Sequence, residues 1–339
     1  MSDASARIVS PTRDAISLAA TRLRAGELVA FPTETVYGLG ADAGNVDAVR
    51  AIFAVKRRPT DHPLIVHVAD TTQLSRWARE VPRGAMELAD AFWPGPLTLI
   101  LPRAEHVGDT ITGGQDSVGL RVPSHPVAYA LLSAFAALGG EGIAAPSANR
   151  FGHVSPTTAA HVEADLGNEV AMILDGGASE VGIESTIVAF ANGRPVLLRP
   201  GGIGIDDLAR VLRERPRTAD TDAPRASGTH ASHYATRTQA FLVSGSRLRS
   251  EIAQRENRDE RVAVLARTLE PPPAFDGCWM LAPTAAAPYA HDLYANLRKL
   301  DAAGTDAILI ETVPETPEWL AVRDRLTRAT HLGSQDDRD

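Results

Sequence analysis

One stretch limits how this chain can fold more than any other: RPRTADTDAPRASGTHASHYAT, residues 215–236. It is polar, rich in Pro, Ser, Thr and Ala, and has no apolar period, so neither a helix nor a strand could bury a face there. On both sides of it, short apolar runs alternate with helical patterns. The 339-residue chain is therefore expected to form two domains, 12–214 and 238–332, joined by a linker over 215–237 that also serves as a lid.

In the first part, ELVAFP (27–32) reads as a strand, followed by the turn-rich TETVYGLGAD. Val46, Val49, Ile52 and Phe53 recur at helical spacing, in a helix that must stop before Pro59. PLIVHVA (63–69), LTLILP (97–102), VGLRVP (118–123) and GIAAP (142–146) read as strands, and 125–138 reads as a helix. STIVAF and RPVLLRP flank Asn192-Gly193, a hairpin signal, and a helix over about 204–214 closes the domain. Hairpins and crossovers together predict a mixed sheet. Beyond the linker come QAFLVSG, a polar helix, RVAVLAR, CWMLAP, the helix around PYAHDLYANLRKLDAAG, DAILIET and a last helix to Thr330. That regular alternation predicts an α/β layer on a mostly parallel sheet.

Composition excludes several classes. With 44% hydrophobic and 22% charged residues the chain can bury ordinary cores. No apolar run approaches the roughly 18 residues of a membrane span, and MSDASARIVSPTRDA lacks the apolar segment of a signal peptide. The single cysteine, Cys278, excludes an intramolecular disulfide and fits a reducing, cytoplasmic setting. A net charge of −8 argues against gripping nucleic acid by bulk electrostatics, though a local basic cleft remains open. Only two of the 34 cationic side chains are lysines, Lys56 and Lys299. Where surface charge is written as arginine, Lys56 in KRRPTDHPLIVH is either a chance survivor or a compact point charge that guanidinium cannot replace.

Familiar nucleotide signatures are missing: there is no G-x-x-x-x-G-K-[ST] and no G-x-G-x-x-G opening a helix. The serine of APSANR lacks the G-x-S-x-G setting of a hydrolase nucleophile. His230 and His233 have no Cys/His cluster beside them and read as solvated linker histidines rather than metal ligands. What remains is a set of small polar and cationic residues at strand ends, where ligands of open α/β sheets collect. Taken singly, each has a plain structural explanation: a paired strand residue, a turn former, or a cation favoured at a helix C-terminus.

Together these segments resemble a known family. FPTETVYGLG, KRRPTDHPLIVH, FWPGPLTLIL, VGLRVPSHP, APSANRFGHVSPT, IESTIV and LLRPGGI stand in the order seen in threonylcarbamoyl-AMP synthases, which carry a YrdC-type domain. The similarity runs from about residue 15 to 205. GTHASHYAT, DLYANLRKLDAAGTDAILIE and RDRLTRA look like the extra C-terminal domain of the longer members. The resemblance implies an α/β protein: a YrdC-like twisted mixed sheet with a concave ligand cleft, then a smaller Rossmann-like domain. It implies a nucleotidyltransferase that joins L-threonine, bicarbonate and ATP into threonylcarbamoyl-adenylate and pyrophosphate. The product would be handed to the proteins that modify the adenosine beside the anticodon of certain tRNAs, with at most a weak RNA contact here. Mg²⁺ would arrive with ATP, and no metal ligand or tightly bound cofactor is implied.

By the same resemblance Lys56, Arg58, Ser147 and Asn149 form the catalytic constellation. Thr35, His67, Arg121, Ser185 and the backbone at Ala145 hold L-threonine, with Arg121 facing its carboxylate. Arg58, His62, Ser117, Ser147, Ser155, Arg199 and, from the linker, Tyr234 hold ATP. The chain departs from the family pattern at Arg57, often Gly, at His62, Asn in some members, and before the His233-Tyr234 pair. Two rivals stand beside this reading. One is a non-catalytic RNA-binding module using the same basic cleft, disfavoured by the acidic total and by only 5% aromatics. The other is a carbamoyl-transfer module of hydrogenase maturation, disfavoured by the absence of any CxxC.

Overall fold

The apolar runs of the N-terminal half pair into one sheet, and those after the linker into another. The computed structural model describes residues 7–191, 193–219, 223–228, 233–273 and 275–331. The chain divides into two units: Met1–Phe151 with Ser155–Thr229, and Gly152–Val154 with His230–Asp339.

Among the described residues, unit one carries eleven strands: β1 (Ile8–Val9), β2 (Val29–Phe31), β3 (Gly38–Asp42), β4 (Ile65–His67), β5 (Leu97–Pro102), β6 (Ser117–Arg121), β7 (Ile143–Ala144), β8 (Met172–Leu174), β9 (Thr186–Ala191), β10 (Arg194–Arg199) and β11 (Arg217–Thr218). Their order across the sheet is β1-β8-β2-β3-β7-β4-β6-β5-β9-β10-β11. The sheet is mixed, as expected: β4 runs parallel to β6, whereas β5 and β6 are antiparallel. β9 and β10 form the hairpin that Asn192-Gly193 announced; Asn192 itself lies outside the described residues, and Gly193 has φ 77°.

The segment GLGAD, read from sequence as turn, is the strand β3. Its glycines are demanded by packing rather than by a turn. A Cβ on Gly40 would stand 2.8 Å from the Phe31 ring and 2.9 Å from an Ile143 methyl, so only a bare backbone passes between them. The sequence reading also passed over the helices Arg13–Arg24, Arg83–Phe92 and Ala159–Leu166 and the strands β1 and β8. The first of these helices is capped by Thr12, whose hydroxyl accepts from the N–H of Ala15 at 3.2 Å. Its Ala15, Ala19, Ala20 and Leu23 pack with Leu131, Leu132 and Phe135 of helix Pro126–Ala137 over β2 and β8.

Unit two contains the parallel sheet that the strand–helix alternation predicts. β12 (Ala240–Val243), β13 (Val262–Ala266), β14 (Cys278–Leu281) and β15 (Ala307–Glu311) are ordered β12-β15-β13-β14, all pairs parallel. Leu248 and Ile252 of helix Gly245–Glu256 cover Val262, Val264 and Leu309. At the end of β15 the Glu311 carboxylate accepts the backbone N–H groups of Arg267 and Thr268 at 2.6 and 2.9 Å. No helix among the described residues is long and apolar enough to cross a membrane.

Candidate active site

Helix Val46–Lys56 delivers the first side chain. Asn45 caps its start, and its end turns sharply because Arg57 adopts the left-handed conformation (φ 52°, ψ 45°). The N–H groups of Arg57 and Arg58 then bond back to Ala54 and Phe53. This turn leaves Lys56 buried, at 1% exposure, with its Nζ donating to the carbonyls of Ser147 and Asn149, each at 2.5 Å. Burial pushes the ammonium well below the ordinary lysine value, and the cations of Arg58 and Arg150 add to this against Asp165. The KRR and SAN segments, 91 residues apart at Lys56 and Ser147, are thereby fastened together. A backbone bridge from Gly38 to Ser147 adds the PTETVYG loop to the same place.

Arg58 and Arg199, both buried, share a partner. Arg58 Nη2 donates to the carbonyl of Pro63 at 3.0 Å and to Ser227 Oγ at 3.3 Å, with its guanidinium 5.5 Å from the Phe151 ring. Arg199 Nη1 donates to the carbonyl of Ser227 at 2.6 Å, while its Nε and Nη2 hold the carbonyl of Ser185 at 3.1 and 3.0 Å. Nη2 also reaches Ser185 Oγ at 3.1 Å, and that hydroxyl shares a hydrogen with Thr98 Oγ1 at 2.8 Å. His62 meets Phe151 edge-on, ring centroids 4.9 Å apart.

Sheet register places the third group. Parallel pairing sets His67 opposite Arg121 at the C-terminal ends of β4 and β6. Arg121 donates from Nη1 to Thr35 Oγ1 at 2.8 Å, from Nη2 to Glu34 Oε1 at 2.6 Å and from Nε to the Gly95 carbonyl at 3.3 Å. Burial, reinforced by the Arg121 cation, pushes the His67 imidazole down to about 3, so it is neutral at physiological pH. Ala145 donates its N–H to Ile65 at 3.0 Å.

The structure thus gathers Lys56, Ser147 and Asn149 directly, Arg58 with Arg199 and Ser185 through Ser227, and Thr35 with Arg121 and His67. Ser155 is buried with its hydroxyl donating to Glu184 at 2.6 Å. Ser117 opens β6, at the opposite end of that strand from Arg121. Tyr234 lies in unit two, wholly buried, stacked on Tyr294 at 5.5 Å and beneath the Arg325 guanidinium at 5.2 Å. His233 stands edge-on to it at 4.1 Å, and His230 lies outside the described residues. Sequence reasoning missed Glu34, Thr98, Glu184 and Ser227. Only Glu34 carried a signal: an acid between two threonines, in a quoted motif, needs a buried cation if the loop folds inward.

Residues 21–201 match a family model described as telomere recombination, and residues 203–330 match one described as the C-terminal domain of threonylcarbamoyl-AMP synthase. The threonylcarbamoyl-AMP synthase of Pyrococcus abyssi is 41% identical, over 93% of this chain and 94% of its own. The chain belongs to the threonylcarbamoyl-AMP synthase family. The Bacillus subtilis member is 40% identical, over 93% of this chain and 92% of its own. Among solved structures, P. abyssi Sua5 complexed with L-threonine matches with a TM-score of 0.86 at 38% identity, covering 94% of this chain and 95% of that one. Threonylcarbamoyl-AMP synthases are enzymes, so a purely RNA-binding module is not favoured. The family's C-terminal domain model covers unit two as well, so the resemblance extends over both units.

Proposed function

We propose that unit one joins L-threonine, bicarbonate and ATP into threonylcarbamoyl-adenylate, releasing pyrophosphate, and so acts as a nucleotidyltransferase. The observation that carries this is the buried Lys56 ammonium, which joins the KRR turn to the SAN loop. A buried cation held by neutral carbonyls gains from an approaching polyphosphate, because a partner charge relieves its desolvation. Threonine's amine bonds to the carbon of bicarbonate as a C–O bond breaks and water leaves, giving a carbamate. A carbamate oxygen then bonds to the α-phosphorus of ATP as the bond to pyrophosphate breaks. Such a displacement rests on positioning and on neutralising phosphate charge. Lys56, Arg58, Ser147 and Asn149 supply that, with Mg²⁺ entering as part of the ATP substrate.

In this reading Thr35, His67, Arg121, Ser185 and the Ala145 backbone form the threonine subsite. Arg121 has two guanidinium N–H groups without a partner among the described residues, enough for a carboxylate. Arg58, His62, Ser117, Ser147, Ser155 and Arg199 form the ATP subsite. Residues 12–214 act as the catalytic domain, 215–237 as linker and lid, and 238–332 as the accessory α/β domain. The enzyme works in the cytoplasm and passes its product to the tRNA-modifying transferase. Carbon from labelled bicarbonate should appear in an adenylate that also contains threonine, and Lys56→Ala should abolish it. An adenylate without that carbon would refute the reading.

A further inference from the structure

Glu34 is a buried carboxylate that the reaction scheme above leaves unused. It is 3% exposed and sits in the loop between β2 and β3. Its Oε1 receives Arg121 Nη2 at 2.6 Å, and its Oε2 receives the Ser124 N–H at 3.2 Å. The loop is fixed from behind, because the Glu34 carbonyl accepts the Val181 N–H at 2.7 Å. Next to it, Thr33 and Thr35 bond to each other at 2.8 Å, and Thr35 receives the other arm of Arg121. We propose that Glu34 sets the charge balance of the amino-acid subsite, so that it accepts a zwitterionic α-amino acid and rejects the matching hydroxy acid.

Three observations carry this. The side chains of Arg121 and Glu34 are only 5% and 4% exposed, so their charges answer each other rather than water. His67, opposite Arg121 in register, is neutral. Burial also pushes the His125 imidazole below its ordinary value, although a hydrogen bond with the Gly176 backbone and the charges of Glu34 and Glu180 pull it upward. Arg121, the cation assigned to the amino-acid carboxylate, is thus already matched by Glu34, while the neighbouring Arg199, which bonds Ser185, is assigned to the ATP phosphates. A lone carboxylate facing Arg121 would find its charge already answered, so little offsets its desolvation. An α-amino acid brings its own cation. Its carboxylate meets the two remaining N–H groups of Arg121, and its ammonium meets the lone pairs of Glu34 that Arg121 and Ser124 leave open. Glu34 is also a positioning residue, since it and Thr35 hold the two arms of the Arg121 fork.

This inference rests on the threonine-subsite reading, and the test separates the two. Pyrophosphate release by the full chain is measured against L-threonine and ATP. The inhibition constant is then measured for the acid in which a hydroxyl replaces threonine's amine. In wild type that acid should bind at least about a hundredfold more weakly than threonine. Glu34→Gln should narrow the gap at least about tenfold, raising the threonine KM and tightening the acid, with the ATP KM unchanged. Glu34→Asp keeps the charge and should keep the discrimination. An acid that binds wild type as tightly as threonine overturns the proposal even where the Gln variant fails to fold. So does a folded Gln variant that discriminates as wild type does. Release that needs no threonine would instead remove the subsite reading, and this inference with it.

Discussion

At position 57 an arginine holds a backbone conformation (φ 52°) that glycine adopts without strain. The Arg57 side chain is exposed, and the turn it makes serves only to end the helix and bury Lys56. Arg57→Gly should therefore raise the stability by about 1 kcal/mol in urea unfolding and leave the bond pattern of the turn intact. A loss of stability would mean that the guanidinium contributes more than its backbone costs. His67 sets a second expectation. Its folded value of about 3 lies below the ordinary 6.5, so between those values the unfolded chain takes a proton that the folded one refuses. Stability should fall as pH drops through that window, by up to about 1.4 kcal/mol per unit. His67→Gln should flatten that slope, which chemical unfolding at a series of pH values would reveal. Residue types were legible here because Lys56, Arg58 and Arg121 are chemically distinctive within quoted motifs. Ser227 was not, since it acts through a carbonyl and a hydroxyl that any polar loop contains.

Elements with a clear apolar period came through well. Leu97–Pro102 was read with its observed bounds, and Val46–Lys56 ends where Pro59 requires. β3 failed because GLGAD has the composition of a turn and the packing duty of a strand. The missing side chain at Gly40 lets β2 and β7 bring Phe31 and Ile143 against the backbone, a tertiary requirement that no local pattern encodes. Gly40→Val should accordingly destabilise the chain by about 1–3 kcal/mol through overpacking. An unchanged urea midpoint would show that Phe31 and Ile143 yield freely. The short strands β1 and β8 were illegible for a related reason: two or three residues are too few to display a period, and their pairing comes from partners distant in sequence.

At the scale of the molecule, the boundary between the two units falls inside the stretch without periodicity, between Thr229 and His230, and part of that stretch is structural in unit one. Arg217–Thr218 pairs with β10, and Ala226 is buried with Ile65, Ile187 and Leu198. Arg225 and Gln115 exchange bonds of 2.7 and 3.0 Å, and Ser227 holds Arg58 and Arg199 together. Truncation after Pro216 should therefore raise the ATP KM above that of a truncation after Gly228, which keeps these bonds. Equal constants in steady-state assays would leave the segment without a part in nucleotide binding. The central claim, that unit one makes threonylcarbamoyl-adenylate, is tested most directly by pyrophosphate release from ATP on the full chain, omitting L-threonine and bicarbonate in turn. Release that requires both is the predicted result. Release that persists without either substrate would contradict it.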